Sequence, residues 1–408
     1  MKRYEDYKES GIGWIGEIPA AWDIVKVKKA FSIQKRIVGF DGPDVLSITQ
    51  KGIVKKDITS GEGQLAESYK NYQWLYPGEF AMNHMDLLTG WVDCSSFEGV
   101  TSPDYRVFTP TISLDRRFYT YLFQHCYSAK VFYGFGQGVS NFGRWRLPAD
   151  EFNNFLIPLP PIETQKAIST YLDIKTAEID TLIEETEKSI ELLEEYRKSA
   201  ISEAVTKGLD PNVSMKDSGI EWIGDIPAHW DICRLGLLVH FHSGKPKEAL
   251  MKSDDAIYPV YGGGDVKGYS EEFNIDGENV LVSRQGATCG TTRYVVGEAW
   301  ATEHALIAKP SSKIEPKWLS LWLENMNLGQ YSMTAAQPGI AASMIESLPM
   351  VVLPKEEQAA ISETVKELSD EIRATIAQKL VLIQYCNDLR KSLVGEAITG
   401  KFKVPGVM

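Results

Sequence analysis

The chain has 408 residues, 43% of them hydrophobic and 24% charged, which is the balance of a folded soluble protein too long for a single core, so at least two domains are expected. Its opening residues carry no apolar signal segment, no run approaches a membrane span, and its five scattered cysteines include no Cys-x-x-Cys pair, which argues against secretion, zinc and disulfides and for a reducing cytoplasm. The formal charge of −12 speaks against a stand-alone, non-specific DNA binder. It is unevenly spread: residues 1–158 balance 18 basic against 18 acidic side chains, whereas 159–214 carry 6 against 12 and 215–353 carry 11 against 17.

The first segment, 1–158, is rich in Gly, Tyr and Trp and opens with Ser10-Gly11-Ile12-Gly13-Trp14-Ile15-Gly16-Glu17-Ile18-Pro19-Ala20-Ala21-Trp22-Asp23-Ile24. Residues 159–208 follow as a long helix. Pro161 suits a first helical turn, Glu163 favours the helix dipole, and no Gly or Pro interrupts 163–206. Ile168, Leu172, Ile179, Ile183, Ile190, Leu193 and Ile201 recur at helical spacing, and Gly208 marks the stop.

After a linker at 209–217 the opening motif returns as Ser218-Gly219-Ile220-Glu221-Trp222-Ile223-Gly224-Asp225-Ile226-Pro227-Ala228-His229-Trp230-Asp231-Ile232, identical at 12 of 15 positions. The second segment, 209–353, has short β-like runs such as Asn279–Ser283 and Arg293–Val296, broken by Gly262-Gly263-Gly264 and Asp276-Gly277. Residues 354–408 repeat the helix and add a tail. Pro161-Ile162-Glu163-Thr164-Gln165 matches Pro354-Lys355-Glu356-Glu357-Gln358, and the same offset aligns Arg197-Lys198-Ser199 with Arg390-Lys391-Ser392 without a gap. Ile361, Val365, Leu368, Ile372, Ile376, Ile383 and Val394 form the second stripe and Gly400 the second stop. The duplication predicts an α+β protein: two globular domains separated by two long antiparallel helices in a coiled coil, related by pseudo-twofold symmetry.

These motifs resemble those of the Type I restriction–modification specificity subunits. The Ser-Gly-Ile…Trp-Ile-Gly…Ile-Pro…Trp opening and the Leu159–Gln165 and Leu353–Gln358 junctions carry the resemblance, with Tyr258-Pro259-Val260-Tyr261-Gly262-Gly263-Gly264 beside them. The resemblance implies a non-catalytic subunit whose two target-recognition domains each read one half of an interrupted site on double-stranded DNA. The helices would set the spacing and dock two methyltransferase subunits, with two motor–nuclease subunits joining in the full complex. S-adenosylmethionine, ATP and magnesium would then sit on those partners, with no cofactor, metal or membrane contact on this chain.

The chemistry-bearing motifs agree. There is no Asn/Asp-Pro-Pro-Tyr/Phe tetrapeptide to hold a target amino group, and no Gly-x-x-x-x-Gly-Lys-Ser/Thr loop to cradle phosphates. His240 and His242 share a strand face without a third metal ligand. A recognition–catalysis fusion enzyme and a protein-binding scaffold without a DNA role are the competing readings; the missing motifs weigh against the first, and DNA binding by the methyltransferase complex separates the second. Readout of bases needs Arg or Lys for guanine and Asn or Gln for adenine. In the first domain Lys35, Arg36, Lys55, Lys56, Asn83, Arg106, Gln137, Arg144 and Arg146 are candidates, with Tyr105 to pack on sugars or bases. In the second they are Lys245, Lys247, Lys267, Arg284, Gln285, Arg293 and Gln337, with Tyr261.

Overall fold

A computed structural model describes residues 2–58, 66–139, 144–262, 264–332 and 338–407. Candidate Gln337 lies outside the described residues, and of Arg144 only the backbone is described. The chain divides into two compact units, one of residues 1–186 and 381–408, the other of 187–380. Each unit therefore holds one globular segment together with part of both long helices, so its boundaries fall inside the helices.

The uninterrupted sequence between the junction prolines and the stop glycines becomes helices Ile162–Lys207 and Lys355–Ile398. In the first unit the start of the first helix lies against the end of the second: Ile168 and Leu172 share a core with Leu393, Ala397 and Ile398, and Arg390 pairs with Asp180 at 3.4 Å. In the second unit the reverse holds. Ile201, Ala204 and Val205 share a core with Ile361 and Val365, and Arg197 Nε donates to Ser369 Oγ at 3.3 Å. The two helices thus run antiparallel within each unit. Gly395 lets His125 approach this packing, since a Cβ there would stand 2.6 Å from the imidazole.

The opening motif is a helix-end receptor. Ser10 Oγ accepts from Ile12 N, as Ser218 Oγ does from Ile220 N, and each curls the chain so that Trp22 and Trp230 are driven inward, 1% and 0% exposed. Trp22 packs on Gly400 and Trp230 on Gly208, both at positive φ, where a side chain would be strained as well as crowded.

Each unit carries a four-stranded antiparallel sheet. In the first the strands are Phe31–Gln34, Phe80–Met82, Val92–Cys94 and Arg106–Pro110; in the second, Val239–Ser243, Glu278–Ser283, Thr292–Val296 and Ala305–Pro310. Both sheets have the order first, fourth, second, third. The register matches as well. Met82 faces Arg106 where Ser283 faces Ala305, and Gln34 faces Val107 where Ser243 faces Leu306. A helix, Arg116–Ser128 or Pro316–Asn325, covers each sheet through apolar side chains such as Phe118, Phe123, Trp318 and Trp322.

Candidate nucleic-acid interface

The matching ladders give each residue of one domain a structural equivalent in the other. Just past the second sheet strand, Asn83 and His84 are equivalent to Arg284 and Gln285. Just before the fourth strand, Tyr105 is equivalent to His304, and past the first strand Arg36 is equivalent to Lys245. Six of the sequence candidates, Arg36, Asn83, Tyr105, Lys245, Arg284 and Gln285, therefore stand at the same strand ends in the two domains.

In the second domain the segment Trp300–His304 organises the cluster. Lys245 N donates to Ala301 O at 3.0 Å, Thr302 N to Tyr261 O at 2.8 Å, and Arg284 N to His304 O at 2.9 Å. Gln285 Oε1 meets His304 Nδ1 at 3.0 Å, while Arg284 Nη1 reaches across to Ser243 Oγ at 3.0 Å. Lys247 lies over the Trp300 ring at 4.8 Å and pairs with Glu272 at 3.1 Å. Arg293 lies 5.8 Å from the Tyr261 ring centroid and pairs with Asp265. Lys267 is exposed beside Gly262, whose missing Cβ makes room for it. The result is a polar surface in which Lys245, Lys267 and Gln285 are exposed, Arg284 is held by Ser243, and Arg293 by Asp265 and the Tyr261 ring.

In the first domain Gln137 faces Arg146 in a hairpin, and both side chains are exposed. Leu147 N donates to His84 O at 2.9 Å, which seats this hairpin beside Asn83 and His84. Asn83 Oδ1 accepts from Met85 N at 3.3 Å. Lys35 is exposed, whereas Arg36 is bound to Glu79 at 2.5 Å and stacked over Tyr76 at 4.8 Å. Lys55 closes the hairpin of Leu46–Thr49 and Gly52–Lys55 and pairs with Asp44 at 2.5 Å, and Lys56 N donates to Val45 O at 2.8 Å just beyond it. Tyr105 is half-buried, and its carbonyl accepts from Gln73 Nε2 at 2.7 Å.

Arg106 must be corrected. It is 5% exposed, donates to Leu147 O at 2.9 Å and lies over the Phe152 ring at 4.8 Å. Burial pulls its pKa down to about 10, which still leaves it charged near neutral pH. This arginine holds the hairpin from beneath and does not face solvent.

Sequence reasoning missed Ser243, His84 and His304. The last two are visible in the sequence only as residues beside a sheet strand, and their equivalence to other cluster members needs the ladder register. His84 is the more consequential. Its Nδ1 is buried without a partner among the described residues, and burial, with Arg106 and Arg146 nearby, pushes the imidazole from 6.5 down to about 4. The unfolded chain therefore takes up this proton first as pH falls, and His84 should lower stability progressively between about pH 6.5 and 4. His84→Gln, which installs the residue of the equivalent position 285, should flatten the fall of the thermal midpoint over that window. An unchanged slope would assign acid sensitivity to other groups.

A family model described as the Type I restriction modification DNA specificity domain matches residues 44–192 and 227–382. The chain belongs to this family. It is 29% identical over 258 residues to the Type I restriction enzyme EcoprrI specificity subunit of Escherichia coli, covering 62% of each chain. Over 448 aligned positions it is 22% identical to the putative type I restriction enzyme MjaX specificity subunit of Methanocaldococcus jannaschii, covering 98% of this chain and 97% of that one. A chain from a type I R-M system, solved to explain complex assembly and conformational transition, has the same fold at a TM-score of 0.72 and 13% identity, covering 93% of this chain and 98% of its own. The HsdS subunit of Thermoanaerobacter tengcongensis matches at a TM-score of 0.54 and 15% identity, with 94% and 98% covered. Both family matches span a recognition segment and run into the long helix that follows it, so the repeated architecture is the family's own. No helix among the described residues is long and apolar enough to cross a membrane.

Proposed function

We propose that the chain is the sequence-specific DNA-recognition subunit of a Type I restriction–modification complex, each domain reading one half of an interrupted double-stranded site. The observation that carries this reading is the doubled cluster: Arg36, Asn83 and His84 in one domain and Lys245, Arg284 and Gln285 in the other stand at equivalent sheet positions. Two copies of one scaffold with different side chains at the same reading positions suit a bipartite, asymmetric sequence. Local cationic and amide groups do the reading, so an acidic chain overall is no obstacle.

The helices supply the docking face for two methyltransferase subunits. In the first unit Ile174, Leu182, Val381, Leu382, Tyr385 and Leu389 are exposed on them, and in the second Leu192, Tyr196 and Leu380. Apolar side chains at this density on a long helix mark a partner surface. Methylation, ATP hydrolysis and cleavage, with S-adenosylmethionine, ATP and magnesium, belong to the methyltransferase and two motor–nuclease partners; this chain acts in the cytoplasm and supplies none of those reactions. The test is binding of the purified methyltransferase complex to genomic fragments at fixed salt, followed by sequencing of what is retained. Enrichment of one interrupted motif supports the reading, and retention without any shared sequence refutes it. Neutralising Lys245, Arg284 and Arg293 together should abolish that enrichment while the complex still assembles.

A further inference from the structure

The junction repeat contains a glutamine in each copy, and both are buried: Gln165 is 1% and Gln358 0% exposed. They make the same connections. Gln165 Nε2 donates to Pro160 O at 2.8 Å, and its Oε1 accepts from Asp115 N at 2.8 Å. Gln358 Nε2 donates to Leu353 O at 2.9 Å and to Lys313 O at 2.9 Å, and its Oε1 accepts from Glu315 N at 2.8 Å. Asp115 and Glu315 are the N-cap residues of the domain helices Arg116–Ser128 and Pro316–Asn325. In each unit one side-chain amide thus ties three things together: the start of a long helix, the segment leading into it and the helix that covers the recognition sheet.

We infer that Gln165 and Gln358 are positioning residues that lock each recognition domain onto the long helices and thereby fix how strictly half-site separation is read. The inference rests on the DNA-recognition reading above. Apolar burial is non-directional and tolerates small rotations, whereas an amide with both its oxygen and its nitrogen engaged permits essentially one orientation. Other links cross these junctions: Tyr119 Oη donates to Pro158 O at 3.1 Å and Tyr121 Oη to Asp173 Oδ1 at 2.9 Å in one unit, and Trp230 Nε1 donates to Glu357 Oε2 at 2.9 Å in the other. The exposed ion pairs beside them, Arg117 with Asp173 and Lys355 with Glu315 at 2.7 Å, contribute little rigidity. One extra base pair between half-sites displaces the second by about 3.4 Å and turns it by roughly 35°. A domain free to tilt shares that change with the DNA; a locked one rejects it.

The test is methylation mapping in cells carrying the full complex with Gln165→Met, with Gln358→Met, or with Leu172→Ala. The methionines keep volume and lose the hydrogen bonds. Leu172, fully buried in the same core as the first junction, supplies a control that loses stability with the amide lock intact. Each methionine variant should raise the methylated fraction at sites one base pair longer or shorter roughly tenfold, with base identities unchanged. Leu172→Ala should lower total methylation and leave the spacing as strict as before. The inference is overturned if the methionine variants keep strict spacing, or if Leu172→Ala relaxes it equally at matched thermal midpoint. If the unsubstituted complex itself methylates no interrupted motif, the recognition reading fails, and that outcome is distinct.

Discussion

Replacing residues 1–158 together with 399–408 by the corresponding parts of a relative is expected to change one half of the methylated sequence completely and leave the other untouched. The two segments must travel together because the tail completes the first domain. Tyr7 Oη donates to Gly400 O at 3.0 Å, and Lys401 Nζ donates to Ile15 O at 2.6 Å and Glu17 O at 2.8 Å. Phe402 and Val404 are part of the same core as Trp22, and Lys403 N donates to Lys2 O at 2.8 Å. Exchanging 1–158 alone would set foreign side chains against this tail and lose core packing, at a cost of a few kcal/mol for each badly matched large residue. Sequencing methylated sites in cells carrying both exchanges checks the expectation. The paired exchange should methylate fully at a hybrid site, and the single exchange should methylate the same hybrid site less. A paired exchange that altered both half-sequences would mean that the domains do not read independently.

The helices and their stops were legible because their signals are local: a stripe at helical spacing, junction prolines and stop glycines all lie within a few turns of what they control. The opening motif was legible as a repeat but not as a receptor. That Trp22 packs on Gly400 and Trp230 on Gly208 depends on contacts across hundreds of residues or around a turn. The proposed reading positions were partly legible. Arginine, lysine and glutamine were nominated by chemistry, and the ladders bring Lys245, Arg284 and Gln285 together at one sheet end. The same chemistry misjudged Arg106, since nothing in the residues around it tells that Leu147 O and the Phe152 ring wait beneath it. Gln165 and Gln358 stood in the quoted repeat, yet only burial and the paired N-cap contacts reveal why an amide is needed there.

Lengthening both long helices should change the spacing between half-sites without changing either half-sequence. The site of insertion matters. Adding residues near Glu203 would disrupt Ile201, Ala204 and Val205, which are buried in the second unit's core. The boundaries at 186/187 in the first helix and 380/381 in the second lie among largely exposed side chains, buried Thr186 apart, and antiparallel partners must grow together to keep their stripes facing. One heptad in each helix adds about 10 Å, or about three base pairs of rise, but three base pairs also turn the major groove by roughly 100°. Three heptads add about 31 Å, or about nine base pairs, which leaves the groove about 40° short of a full turn, a much smaller mismatch in facing than that of one heptad. A duplex series with graded spacers, bound by the purified methyltransferase complex, therefore should show weak binding for the one-heptad variant, with its optimum about three base pairs longer. The three-heptad variant should bind more tightly than the one-heptad variant, at a spacer about nine base pairs longer than the original. Both should retain the parental half-sequences, because no side chain at the reading positions has moved within its own domain. If both variants still preferred the original spacer, the separation would be set within the domains or by the partners, and the helices would be a docking platform only.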